Sequence, residues 1–170
     1  MESINKYFRA KPKAEEVEKL INKGFAYCGG WVDGVPSPHD DNIFFAKRKN
    51  GYEPVEVDPE TIGQYACMAD ENGTDICQGD IIKIADRIIG EIIFTAGTFG
   101  VGTKQFVDYD FLASQIAPIT GCNNSPRFCY EDNFISLYEM YVNFNGEEDV
   151  CPGIVVIGNI HDNPELLSEV

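Results

Sequence analysis

From Phe25 to Gly102 the chain is written in short aromatic and β-branched runs, each cut off by Gly, Pro, Asn or Asp. Runs of that length are too short for buried helices and fit strands joined by turns. The predicted strands are 25–32, 42–47, 54–57, 64–68, 80–86 and 87–95. Asp70-Glu71-Asn72-Gly73 predicts a tight turn, because Gly and Asn accept the positive φ that such turns require. Asp58-Pro59 is a second punctuation mark, and Gly97-Thr98-Phe99-Gly100-Val101-Gly102 reads as a strand broken by turns. Short strands at this spacing suggest an antiparallel barrel or sandwich.

One helix is expected near the start. Pro12 suits a first helical position, Glu15 and Glu16 precede Lys19 and Lys23 in the order the helix dipole favours, and Gly24 ends the segment. Val17, Leu20 and Ile21 form its apolar stripe. Residues 134–144 satisfy two periods at once. Phe134, Tyr138, Met140, Val142 and Phe144 alternate as in a strand, while Leu137, Tyr138, Tyr141 and Phe144 share a helical face; β-propensity favours the strand. A final strand is expected over 154–160. Asn163 then acts as N-cap and Pro164 as first residue of a terminal turn.

With 44% hydrophobic and 12% aromatic residues in 170, the chain can bury the core of one domain and is not disordered. Its expected parts are 1–60 (helix and first strands), 61–120 (barrel core), 121–151 (an insertion) and 152–170 (closing strand and turn). The net charge is −15. A field of that sign repels phosphate backbones and anionic membranes, so both partners are disfavoured. The charge is uneven: residues 1–27 carry six basic against four acidic side chains, and residues 121–170 carry only Arg127 against nine acids. The six cysteines, at 28, 67, 77, 122, 129 and 151, contain no Cys-x-x-Cys pair. The opening MESINKYFRAKPK lacks the apolar core of an export signal, so reduced thiols and a cytoplasmic setting are expected. No apolar run approaches the ~20 residues of a membrane helix.

The chemistry-bearing motifs dissolve one by one. A phosphate loop needs Lys and Ser/Thr directly after its last Gly, whereas Gly102 is followed by Thr103-Lys104, and Gln105 stands where a dinucleotide fingerprint needs Gly. Asp70-x-Asn72 resembles a calcium loop, but Ile81 occupies the position of its closing Glu. Asn72-Gly73-Thr74 and Asn123-Asn124-Ser125 match glycosylation sequons, which matter only for exported proteins. His39 and His161 are the only histidines, and no nucleophile is tied to either by spacing. Asp75, Asp80 and Asp162 form one conceivable metal-binding set for a hydrolase. Nine cations, Lys6, Arg9, Lys11, Lys13, Lys19 and Lys23 with Lys47, Arg48 and Lys49, are the only source of a nucleic-acid patch on a barrel.

Several blocks, in order along almost the whole chain, resemble the YopX family of phage and prophage proteins. They are Val55–Tyr65 with its Asp58-Pro59 and Gly63; Asp70-Glu71-Asn72-Gly73-Thr74-Asp75-Ile76-Cys77-Gln78-Gly79-Asp80-Ile81-Ile82; Gly90-Glu91-Ile92-Ile93-Phe94 with Gly97-Thr98-Phe99; and Val156-Ile157-Gly158-Asn159-Ile160-His161-Asp162-Asn163-Pro164-Glu165-Leu166-Leu167. Tyr7–Ala10 and Gly30–Gly34 resemble the family's opening strands. Where the family pattern usually reads Thr-Gly, this chain has Ala66-Cys67.

The resemblance implies a mostly β fold: an SH3-like small antiparallel β-barrel with a short N-terminal helix and a C-terminal insertion. It implies a phage or prophage accessory protein in the host cytoplasm, and it carries no established activity, catalytic residue, metal or cofactor. The expected role is a non-enzymatic binding module, a homo-oligomer that meets a phage or host protein. The signature positions Asp58, Pro59, Gly63, Asn72, Gly73, Gly79, Asp80, Gly158, Asn159, Asn163 and Pro164 read as turn and loop formers. Phe128, Tyr130, Phe134, Tyr138 and Tyr141 are the candidate partner surface, because insertions tend to carry binding.

Overall fold

The structure, a computed structural model, describes residues 7–25, 27–85, 88–103, 134–143 and 146–168. It is mostly β, and its contacts fall into two compact units, Met1–Tyr65 and Ala66–Val170.

The first unit holds β1 (Phe8–Pro12), α1 (Ala14–Asn22), β2 (Tyr27–Cys28), β3 (Trp31–Pro36), β4 (Ile43–Arg48) and most of β5 (Gly51–Ala69). All pairings are antiparallel, and four of them close a circuit: β1 with β3, β3 with β4, β4 with β5, and β5 back to β1. Pro12 ends β1, and α1 starts two residues later without a side-chain cap at Lys13. The helix ends as expected: the Phe25 N–H donates to the Leu20 carbonyl and the Gly24 N–H to that of Ile21, a Schellman closure. Of the expected stripe only Leu20 is buried, and Ile21 is 59% exposed. Leu20 joins Ala10, Phe25, Val32, Phe44, Ala46, Val55 and Val57 in one core.

Two strand boundaries differ from the sequence reading. The stretch expected as one strand over 25–32 is a hairpin, because Gly29 and Gly30 both take positive φ and turn β2 onto β3. Conversely, Asp58-Pro59 does not stop β5, which runs for 19 residues. Arg9 faces Gly63 while Lys11 faces Asp58, so β5 sets residues 59–62 against the single residue Ala10 as a bulge. Thr61 fills the gap: its buried Oγ1 accepts the Lys11 N–H at 2.9 Å and donates to the Asp58 carbonyl at 2.6 Å. Proline, with no N–H to contribute, is tolerated in such a bulge.

In the second unit β6 (Asp75–Cys77), hydrogen-bonded to β5, precedes an antiparallel sheet in the order β10-β9-β8-β7-β11. These strands are β7 (Asp80–Ile84), β8 (Ile88–Thr95), β9 (Thr98–Gly102), β10 (Phe134–Ser136) and β11 (Ile154–Asn159). One face of it, through Ile82, Ile84, Ile92, Val101, Ile135 and Ile154, packs with Ile76, Leu137, Met140 and Cys151. The strand expected over 134–144 is therefore only three residues long and gives way to α2 (Leu137–Asn143). The Ser136 hydroxyl accepts the Glu139 N–H at 3.4 Å, so Ser136 caps the first turn of the helix. Leu137, Met140 and Tyr141 form its inward face, and Tyr138, expected on that face, is 61% exposed. Thus the described part of the expected insertion contributes to the core.

Cys67 has φ +57. It is the position where the family pattern usually has Gly, the residue for which left-handed backbone costs nothing. Cys67→Gly is expected to raise stability by about 1 kcal/mol in urea unfolding, with Cys67→Ala near neutral. Equal midpoints for the two variants would contradict this.

Candidate functional site

The signature residues converge on the ends of β7 and β11. Asp70, 1% exposed, is the hub. Its Oδ1 accepts the N–H groups of Asn72 at 2.9 Å and Thr74 at 2.8 Å, which shapes the 70–74 turn. Its Oδ2 accepts the Val156 N–H at 2.9 Å. Beside it the Glu71 N–H donates to the Ile154 carbonyl, and Glu71 Oε2 accepts the Gly153 N–H at 3.1 Å. Since β11 ends the sheet, these bonds occupy its outer backbone groups. In the turn only Gly73, not Asn72, has positive φ.

A second knot closes the opposite end of β11, where Asn159 faces Asp80. Asn159 Oδ1 accepts the N–H groups of His161 and Asp162, both at 3.0 Å, and its Nδ2 donates to Asp162 Oδ2 at 2.8 Å. Asn163 stands at the N-cap position with Pro164 following it, as expected, but its side chain makes no cap bond. Instead Asn163 Oδ1 accepts the Asn159 N–H and lies against Gly158, where an added Cβ would come within 2.6 Å of it. Asp80 is buried, and its Oδ2 accepts the Cys77 N–H at 2.8 Å across the Gln78-Gly79 turn. Gly79 donates to the Ile92 carbonyl and accepts from the Ile160 N–H. In the first unit Asp58 Oδ1 accepts the Glu60 N–H at 3.3 Å, with Pro59 and Gly63 in the same bulged stretch. Backbone satisfaction is the common work of these side chains.

The carboxylates singled out for metal chemistry do not gather. Asp75 and Asp162 are exposed while Asp80 is buried, and among the described residues no three His, Cys, Asp or Glu side chains are placed to hold a metal ion. His39 and His161 are exposed at loops. Cys67, Cys77 and Cys151 are in no disulfide. Burial pushes the Cys151 thiol up to about 12, which removes the thiolate that nucleophilic chemistry needs. Glu91, which the sequence reading passed over, is half-buried, and desolvation holds its carboxyl above the ordinary range. It faces Ile81 and Gly102 across the sheet, so no nucleophile stands opposite it. Among the described residues no helix is long and apolar enough to cross a membrane.

The cations are largely engaged. Lys13 pairs with Glu56 at 3.1 Å, Lys19 with Glu16, and both Lys23 and Arg48 with Glu53. Arg9 and Lys11 lie over Trp31, at 4.3 and 5.1 Å from the ring centre. Of the candidate partner surface, Tyr138 is exposed, Phe134 and Tyr141 are half-buried, and Phe128 and Tyr130 lie outside the described residues, as does Lys6.

The family model described as YopX protein matches residues 36–168, which is most of the chain and takes in both signature knots. The chain belongs to the YopX family. Its similarity to a solved structure, the crystal structure of protein EF1440 from Enterococcus faecalis, is 22% identity over 95% of this chain and 96% of that one, with a TM-score of 0.44. No curated protein matches the sequence. In this chain the YopX signature forms two loop knots and one bulge. Asp70, its most connected residue, read from the sequence only as part of a turn, because one of its three partners is 86 residues away.

Proposed function

We propose that this YopX protein is a phage or prophage accessory protein of the host cytoplasm that works as a non-enzymatic, oligomeric binding module. The supporting observation is the engagement just described: Asp70, Asp80, Asn159 and Asn163 all serve the backbone of their own chain. The closed circuit of strands in the first unit supports reading it as an SH3-like small barrel, a scaffold that recognises partners through its surface. On α2 the exposed Tyr138 and Val142 sit one turn apart, opposite the helix face that enters the core. This apolar pair is where a second copy docks.

Two copies at −15 each repel one another, and salt screens that repulsion. Light scattering on the whole chain is expected to give a multiple of the monomer mass that grows from low to high salt. Tyr138→Asp is expected to return the monomer. A strict monomer at every salt concentration would overturn the proposal.

A further inference from the structure

The hairpin that joins β4 to β5 pairs Arg48 with Gly51 and, with the end of α1, lines a cleft of about 320 Å³. Three cations, Lys23, Arg48 and Lys49, stand around it with a single carboxylate, Glu53. Glu53 bridges two of them, with Oε1 on Arg48 and Oε2 on Lys23 at 3.2 Å. The Arg48 guanidinium is held further by its bond from Nη2 to the Lys23 carbonyl at 3.0 Å and by the Phe25 ring, 5.1 Å from its centre. Lys49 is exposed, and among the described residues no carboxylate reaches it. In a chain of net −15 this cleft therefore carries a local excess of positive charge on a preset frame. The Tyr52 ring lines the same cleft and is 47% exposed.

Cations in excess call for an anion, and a flat exposed ring beside them calls for a flat partner. The volume lies at the lower end of the roughly 300–1,000 Å³ of small-molecule sites. We infer that the cleft binds a mononucleotide, with the phosphate against Lys49, Lys23 and Arg48 and the base stacked on Tyr52. A nucleic-acid strand is the poorer fit, because its further phosphates meet the acidic remainder of the surface.

The test is an amide NMR titration of the full chain with AMP, adenosine, inorganic phosphate and a short oligo-dT strand. At low salt AMP is expected to shift residues 23–24 and 48–53, with phosphate weaker and adenosine weaker still. Lys49→Glu is expected to weaken AMP by about tenfold. Tyr52→Ala is expected to weaken AMP by about tenfold while leaving inorganic phosphate unchanged. Both side chains are exposed, so neither variant threatens the fold. An absence of AMP shifts at low salt, AMP affinity indifferent to both substitutions, or tighter binding of the oligo-dT strand would overturn the inference.

Discussion

Replacing Asp70 with alanine is expected to lower the stability of the chain by about 3 kcal/mol. Three backbone N–H groups lose one acceptor, and the loss is not uniform. Asn72 and Thr74 lie in an exposed turn where water replaces part of it, whereas the Val156 N–H faces a site buried by Asp70 itself. Asp70→Asn separates the contributions. An asparagine oxygen still shapes the turn, but an amide NH2 then confronts the Val156 N–H, so about half of the loss is expected to remain. Asn72→Ala, at a signature position whose side chain has no hydrogen bond among the described residues, is expected to stay within about 0.5 kcal/mol of the parent. Urea unfolding measures all three. If Asn72→Ala costs as much as Asp70→Ala, the turn is held by something other than the buried carboxylate.

Met140→Ala is expected to cost about 3 kcal/mol, within the 2–5 that buried large-to-small changes show. Met140 has no exposed surface and packs with Ile92, Ile135 and Leu137. Tyr138→Ala, two residues away on the same helix, is expected to move stability by no more than about 0.5 kcal/mol. The same pair of variants thereby tests which way α2 faces. Comparable losses would mean that the helix is turned, and a neutral Met140→Ala would mean that it is not packed at all.

Local chemistry made β4, β8, β11 and the Asp70–Gly73 turn readable from the sequence, because each combines a β-branched or aromatic run with sharp punctuation. It misled at Pro59, since a proline stops a strand only where its N–H is needed, and the bulge removes that need. It misled again at α2. Tyr138, Met140, Tyr141 and Val142 are acceptable in a strand, and seven residues are too few for intrinsic preference to nucleate a helix unaided. The Ser136-x-x-Glu139 pair was the available local signal, while the buried face was set by tertiary packing. Of the signature, the sequence showed turn formers, and Asn163 shows the limit of that reading. Its type and position fit a helix cap, but the neighbouring Gly158 leaves room for the side chain to fold back over the loop.

The acids that close β11 also restrict how anything else can be recognised there. A peptide that joins a sheet needs a row of vacant N–H and C=O groups. Residues 153, 154 and 156 have theirs engaged by Asp70 and Glu71. Visitors to that end of the second unit must therefore be read through side chains, whose identities can change without disturbing the sheet. A chain with alanine at 70 would regain part of the vacant rail, and strand-on-strand assembly, indifferent to the guest's sequence, would become its characteristic failure.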